Sequence, residues 1–359
     1  MQKRKCAFNY KQRTLQRGEH LSLFEIEAKD FGAYLFASGE LTEREREFLT
    51  KDEMERLLMS QSKDDFLKIL NDTYYSKYID EVKKIGNLDF LIETENVNAM
   101  NYLNMHLKEE HKNLIEFLML DRDLHNVKVI LKSSVLRRDL RDLFLFASYT
   151  FDDLKFAYEQ KDISKLISPV NEILVRAIDL MSKESEFRII ELKLEQFFFK
   201  KLEKHVASSK SPPLIKLLKH RIDMLNIKNI YRSKVASETF KYNEFLYEGG
   251  YLDSDFFIQF ENESIDYFAQ SIEKGDYTKM IMQGTHLLYS DETFASFEKN
   301  EEEFLLNYFE AASKASSSIE RVIGFFIRKR FEVRSLNIIF NGILNNINRD
   351  KIKHRIPNL

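Results

Sequence analysis

A chain of 359 residues with only 10 Gly and 4 Pro, where ordinary usage gives roughly 43 of the two together, has too few reversal residues for a sandwich, barrel, propeller or doubly wound sheet. With 43% hydrophobic and 31% charged residues it reads as an all-α protein, apolar enough to be ordered and polar enough to give its helices a wet face. Lys and Arg number 55 against 58 Asp and Glu, a net −3 without the basic excess of a nucleic-acid binder, and the lone Cys6 excludes an internal disulfide or a cysteine zinc cluster.

The first stretch, 1–20, is a basic extension carrying Lys3, Arg4, Lys5, Lys11, Arg13 and Arg17 against Glu19. It is expected to be solvated, the alternative being contact with anionic lipid or an acidic partner. No signal-peptide core follows it, and the longest apolar runs (31–37, 143–147 and 322–327) are far shorter than a bilayer span, so a soluble, intracellular protein is expected. Thr42 with Glu45 and Thr50 with Glu53 have capping-box spacing, and Ser62 is a similar start, so short helices are expected over 42–72. His106 and His111 stand five apart around Glu109 and Glu110, the wrong spacing for two ligands on one helix face. Pro169 marks a loop. Phe187, Ile190, Leu194, Phe197, Phe198 and Leu202 predict a long helix over 183–206, closed by Ser208, Ser209 and the Pro212-Pro213 pair. Gly249-Gly250 is the strongest loop signal and Gly275 another. Glu301, Glu302 and Glu303 read as a solvated helix start. Ile319, Ile323, Phe326 and Ile327 predict a helix over 315–345, and the tail carries Arg349, Lys351, Lys353 and Arg355, expected as a frayed, solvated end, the alternative again being contact with anionic lipid or an acidic partner.

An internal repeat runs through this order. Asp123, Asn126, Lys128, Ile130, Lys132 and Ser133 recur as Asp223, Asn226, Lys228, Ile230, Arg232 and Ser233, 100 positions later. A third, eroded copy begins at Glu332, 109 positions further on, with Ser335, Asn337 and Ile339 at the matching offsets. On a helix the acid, the amide three later and the isoleucine seven later fall within about 60° of one another, and the basic residues five and nine later point the other way. The simplest account is a buried polar contact that fixes helix register. The sharper one is that three such helices line a shared pseudo-threefold surface. The repeat divides the chain into helical units at 21–140, 141–245 and 246–359.

The chain has no Walker A loop, no dinucleotide fingerprint and no nucleophile elbow. No cofactor, metal or catalytic residue is therefore expected. With three acid-x-x-amide helices in a Gly-poor chain, the sequence resembles the C-type stalk component of bacterial and archaeal V-type (A/V-type) ATPases, counterpart of the d-type component of the eukaryotic V-ATPase. The resemblance rests on Leu70 to Tyr75, Asp223 to Lys234, Leu246 to Gly250 and Lys329 to Ile339. It departs where Arg330 replaces an acid, Ser335 an Asn and Asn337 a basic residue. It implies three helical bundles forming a funnel or socket, a non-catalytic central-stalk subunit that couples the rotor shaft to the membrane ring for ATP-driven ion transport, hydrogen ion transport included, or for ATP synthesis. The implied partners are the D- and F-type shaft subunits and the proteolipid (c/K) ring, with no nucleic acid and only indirect membrane contact. The implied place is the cytoplasmic side of the membrane, as a peripheral part of the complex. The competing reading is a helical-repeat scaffold or adaptor unrelated to rotary ATPases.

Overall fold

The computed structural model describes residues 32, 34–145, 147–208, 212–235, 246–260, 263–264, 267–268, 295–313 and 318–357. The basic extension 1–20 and Gly275 lie outside them. Among the described residues the regular structure is entirely helical, as the composition requires. Four short helices come first: α1 (Leu35–Arg44), α2 (Lys51–Met59), α3 (Lys63–Asn71) and α4 (Ile79–Ile85). Thr50 caps α2 in a capping box with Glu53, and Ser62 caps α3 by accepting from the Asp65 N–H. Thr42 does not start a helix. It lies inside α1 and its hydroxyl donates back to the Ser38 carbonyl at 3.2 Å, because Leu41 and Ala37 are already turned into the core one helical turn earlier.

The longer helices follow as α5 (Asp89–His106), α6 (Asn113–Leu136), α7 (Phe151–Gln160), α8 (Val170–Lys183), α9 (Phe187–Ser208) and α10 (Pro212–Val235). After α11 (Ser254–Ile258) come α12 (Ala295–Ser313), α13 (Ile319–Leu344) and the terminal α14 (Arg349–Lys353). The helix expected over 183–206 begins at Phe187, since Glu184 is extended and Lys183 closes α8. Pro212 opens α10, where a missing N–H costs nothing. The tail is anchored, unlike the frayed end expected of it. Ile352 and Ile356 are buried in the core, and a Cβ at Gly342 would come within 2.4 Å of Ile352, so α13 carries glycine where the tail returns onto it.

The long helices pack in a series whose two ends are joined by the chain itself. α6 lies against α9, α9 against α10, α10 against α12, α12 against α13, and α13 against α5. Residues 107–112 then carry the chain from α5 back into α6. One large apolar core follows most of this circuit. Two smaller cores are satellites of it. One seats α2, α3 and α4 on the C-terminal half of α13, and the other seats segment 246–260 on α10 and α12.

Candidate functional site: three braced helices and an arginine junction

The repeat acids and amides are buried on the middle of α6, α10 and α13. Asp123, Asn126, Asp223, Asn226 and Glu332 are each no more than 1% exposed. Such groups need partners, because an unpaired buried polar atom carries its full desolvation penalty. On α6, Asn126 clasps one peptide unit: its Nδ2 donates to the Leu145 carbonyl at 2.7 Å and its Oδ1 accepts from the Leu145 N–H at 2.9 Å. One turn earlier Asp123 accepts from the Ser148 N–H at 3.1 Å and its hydroxyl at 2.7 Å. On α10 the pattern recurs. Asn226 clasps both sides of Tyr247, at 2.8 and 2.9 Å, and Asp223 accepts from the Tyr251 and Leu252 N–H groups at 3.1 and 3.0 Å.

Gly249-Gly250 exists to permit this. Gly249 has a φ of +95°, and a Cβ at Gly250 would lie 2.1 Å from the Asp223 carboxylate. Ile130, Ile230 and Ile339, the apolar member of each copy, are fully buried as expected. Lys128, on the other side of α6, pairs with Glu195 of α9, to which Tyr247 also donates. Lys228 is buried. Arg232 lies in α10, its side chain outside the described residues.

The third copy is built differently. Glu332 accepts from the Leu49 N–H at 2.7 Å, so α13 holds the segment that opens α2. Its second oxygen accepts from the Tyr75 hydroxyl and faces the Lys329 ammonium at 3.2 Å. Lys329, 2% exposed, also faces Glu95 of α5 at 3.7 Å, and Glu95 accepts from the Tyr78 hydroxyl. Ser335, where the earlier copies have the amide, is buried and its hydroxyl has no hydrogen-bond partner. Burial holds the Glu332 carboxyl above the usual range against the pull of Lys329 and its hydrogen bonds. A pocket of about 330 Å³ opens beside this network, with Lys329, Glu95 and Tyr74 in its wall. In all three braces the backbone held by the acid leads within two residues to a helix cap: Thr150 of α7, Asp253 of α11 and Thr50 of α2.

The sequence reading missed a second feature, next to the repeat acids. Arg122 of α6, Arg221 of α10, and Arg330 and Arg334 of α13 stand one or two positions from Asp123, Asp223 and Glu332. Arg221 reaches Asp121 of α6 at 2.6 Å and lies 3.9 Å from Glu301 of α12, while Arg334 pairs with Glu302. Arg221 thus ties α10 to α6, and α12 presents acids to both Arg221 and Arg334. Burial, with repulsion from Arg330 and Arg334 and partial relief from Asp123, pushes the Arg122 guanidinium down to about 9. Burial also pulls Arg330 down to about 10, Asp121 opposing it and Arg221 adding to it. Burial pulls on Arg221 too, but Asp121 and Glu301 more than offset it and the group ends above its usual value.

The acids of α12 correct an expectation. Glu301, Glu302 and Glu303 are no solvated helix start; they sit mid-helix, facing Arg221, Arg334 and Lys299. Local charge alone cannot reveal which face of α12 is turned inward. His106 and His111 do not converge. His106 faces Glu40 at 3.0 Å and His111 pairs with the Tyr34 hydroxyl at 2.5 Å. Among the described residues there is no group of three potential metal ligands, and no helix long and apolar enough to cross a membrane.

Residues 37–355 match the model of the ATP synthase (C/AC39) subunit family. Similar curated proteins include the C-type subunit of the V-type sodium ATPase of Enterococcus hirae, 20% identical over 317 residues that cover 87% of this chain and 94% of that protein. The C-type subunit of the A-type ATP synthase of Pyrococcus abyssi is 21% identical over 343 residues, 91% of this chain and 90% of that protein. That of Thermococcus kodakarensis is 20% identical over 336 residues, 89% of each.

Proposed function

Because the chain belongs to the ATP synthase (C/AC39) subunit family, we propose that it is the non-catalytic central-stalk subunit of a V-type rotary ATPase. In this reading three similar helical units, 21–140, 141–245 and 246–359, form a socket that receives the end of the rotor shaft. The socket rests on the proteolipid (c/K) ring at the cytoplasmic side of the membrane. The shaft partners are the D- and F-type subunits, and the work is transmission of rotation for ion transport or ATP synthesis.

The observation that carries this reading is the paired clasp. The same acid and amide on α6 and on α10 hold the same kind of backbone segment, and Glu332 holds Leu49 from α13, which joins the last unit to the first. A circuit closed in this way resists being sprung open. A torque coupler needs that property, since a close-packed helical core deforms little under load. The repeat residues act structurally here: Asp123, Asn126, Asp223, Asn226 and Glu332 set the shape and do not touch a ligand.

The test is recovery of shaft and ring subunits with the tagged full chain from native membranes, alongside nucleotide titration of the isolated chain by calorimetry. Co-purification of both partners and a silent titration are expected. Saturable ATP binding with turnover, or recovery of neither partner, would overturn the reading in favour of a different enzyme or an unrelated scaffold.

A further inference from the structure

The outer face of α5 breaks the charge pattern of the chain. Charged residues make up 31% of the sequence, yet residues 96–106 contain none. Within that stretch Asn98, Asn101, Asn104 and Met105 are turned to solvent, and Met105 is 77% exposed. Phe36 of α1, 80% exposed, stacks beside His106 at the end of the same helix. A solvated helix face in so charged a chain normally carries acids and bases. An uncharged face with exposed methionine and phenylalanine has instead the composition of the centre of a protein–protein contact, where charge is depleted and Met and aromatic residues are enriched.

The pocket of about 330 Å³ opens on this face, with Asn98, Asn101, Met105, Tyr102 and Glu47 in its wall beside Lys329. Its volume falls in the range of ligand-binding clefts, about 300 to 1,000 Å³. Both cations of the wall are already paired with carboxylates outside it, Lys329 with Glu332 at 3.2 Å and Arg44 with Glu40 at 3.1 Å. The carboxylates of the wall are less well served. Glu95 has Lys77 at 3.4 Å and Lys329 at 3.7 Å. Glu47 has no ion-pair partner among the described residues; it stands beside the Tyr74 hydroxyl, which also donates to Glu95 at 3.4 Å. The next cation, Arg328, lies over the Phe48 ring and outside the wall. An added cation at Glu47 is therefore matched by charge, and an added anion is not. The Tyr74 and Tyr102 rings nearby already hold cations, with Lys77 and Arg44 at 3.6 and 4.7 Å from their centres. A guanidinium stacks on such rings and forks onto a carboxylate, which an ammonium does less well.

We propose that this face of α5 docks a protein segment that seats an arginine side chain in the pocket against Glu47 and lays flanking apolar side chains on Met105 and Phe36. An arginine in a concave site, ringed by contacts that exclude water, is the common form of a binding hot spot. The docking surface goes beyond the socket reading and does not depend on it, since Glu47, Met105 and Phe36 take no part in the three braces.

The experiment uses the full chain labelled with carbon-13 in its methionine methyl groups, the Met105 signal being identified by its loss in Met105→Leu. The probes are N-acetyl-leucyl-arginyl-leucine amide, the same peptide with citrulline in place of arginine, and N-acetyl-arginine amide. Citrulline keeps the shape of arginine and removes its charge. The arginine peptide should shift the Met105 signal saturably, and the other two probes should bind roughly fivefold more weakly or worse. Glu47→Gln should weaken the arginine peptide about tenfold, the scale of one charge-assisted pair. Met105→Lys, followed through the peptide by fluorescence of an attached dye, should weaken it as much by placing a competing cation at the pocket mouth. Circular dichroism and the thermal midpoint should match wild type in both variants. Should Glu47→Gln fail to fold, Met105→Lys and the citrulline peptide decide the matter. An arginine peptide that does not saturate, binds no better than its citrulline form, or binds the variants as it binds wild type would overturn the docking surface. Equal affinity for N-acetyl-arginine amide would also overturn it, by making the pocket a small-molecule site. Shaft and ring recovery is a separate measurement, so failure here leaves the socket reading untouched.

Discussion

The braces on α6 and α10 and the brace on α13 hold the same kind of segment by different chemistry. The first two join residues 19 to 29 positions apart, through an amide that clasps one peptide unit and a carboxylate one turn away. The third joins Glu332 to Leu49 across 283 positions, and uses no amide. Closing that longer loop costs about 2 kcal/mol more by loop-entropy scaling. In place of the clasp, a buried lysine stands between Glu332 and Glu95, with Tyr75 and Tyr78 donating to the two acids. Local braces can form as each unit folds, whereas the third can form only when the whole circuit is in place. The contrast separates contacts that shape a unit from the contact that closes the circuit.

The largest effect is therefore expected at the closure. Lys329→Met leaves the buried Glu332 without its cation and Glu95 with only the half-exposed Lys77, 3.4 Å away, and removing one partner of a buried charge network costs roughly 3 to 5 kcal/mol. Urea unfolding should show it. A loss below about 1 kcal/mol would mean that the acids escape to the neighbouring pocket and that the closure is weaker than its burial implies.

Next come the local braces. Asp223→Ala with Asn226→Ala strands the Tyr247, Tyr251 and Leu252 N–H groups, and about 2 to 4 kcal/mol is expected. Asp123→Ala with Asn126→Ala should cost a similar amount. If these variants keep wild-type stability but lose the shaft, the repeat acids and amides are contact residues and their structural role is refuted. Gly250→Ala should reproduce part of the α10 effect, about 1 to 3 kcal/mol, by pushing a methyl into the Asp223 carboxylate.

Much of this was legible in the sequence, for physical reasons that can be named. The scarcity of Gly and Pro fixed the all-helical class, and caps at Thr50 and Ser62 could be read because a hydroxyl three residues before a carboxylate is a local signal. The repeat acid, amide and isoleucine could be placed on one face because helical period needs no tertiary information. What stayed hidden depended on which way a helix turns. Thr42 has capping-box spacing but sits inside α1; Glu301 to Glu303 look solvated but face Arg221, Arg334 and Lys299; the basic tail hides Ile352 and Ile356 among its charges. The arginines left a trace, one or two places before each repeat acid, that gains meaning only when the acids of α6 and α12 are seen to face Arg221 and Arg334.

A smaller effect reads the α6 brace by pH. Burial raises the Asp123 carboxyl from 3.8 to about 6, against the pull of its Ser148 hydrogen bonds. Between those values the folded chain keeps a proton that the unfolded chain has lost. Its contribution to stability is thus complete below about pH 3.8, declines as pH rises, and is gone above about 6. Asp123→Asn has no proton to exchange. The stability of wild type relative to this variant should fall by about 1 kcal/mol between pH 5 and pH 7, read from urea unfolding at both. A difference that stays flat or rises with pH would place the carboxyl in its ordinary range.

The smallest effect probes the empty place in the third brace. Ser335 occupies the position of Asn126 and Asn226, is 1% exposed, and its hydroxyl lacks a partner. Losing an unsatisfied hydroxyl removes a desolvation penalty and leaves a void no larger than one oxygen, so Ser335→Ala should be neutral or stabilising by up to about 1 kcal/mol. The matching change on α10, Asn226→Ala, removes one side of a clasp and should cost about 1 to 3 kcal/mol. Opposite signs at equivalent positions would show that the closure has abandoned the amide and relies on Lys329, Glu95 and Glu332. Equal costs would show that Ser335 still makes the brace, through a bond the static structure does not display. Ser335→Asn sharpens the point: with the charge network already holding Leu49, an added amide has no vacant peptide to clasp, and overpacking by about 1 to 3 kcal/mol is expected instead of a gain.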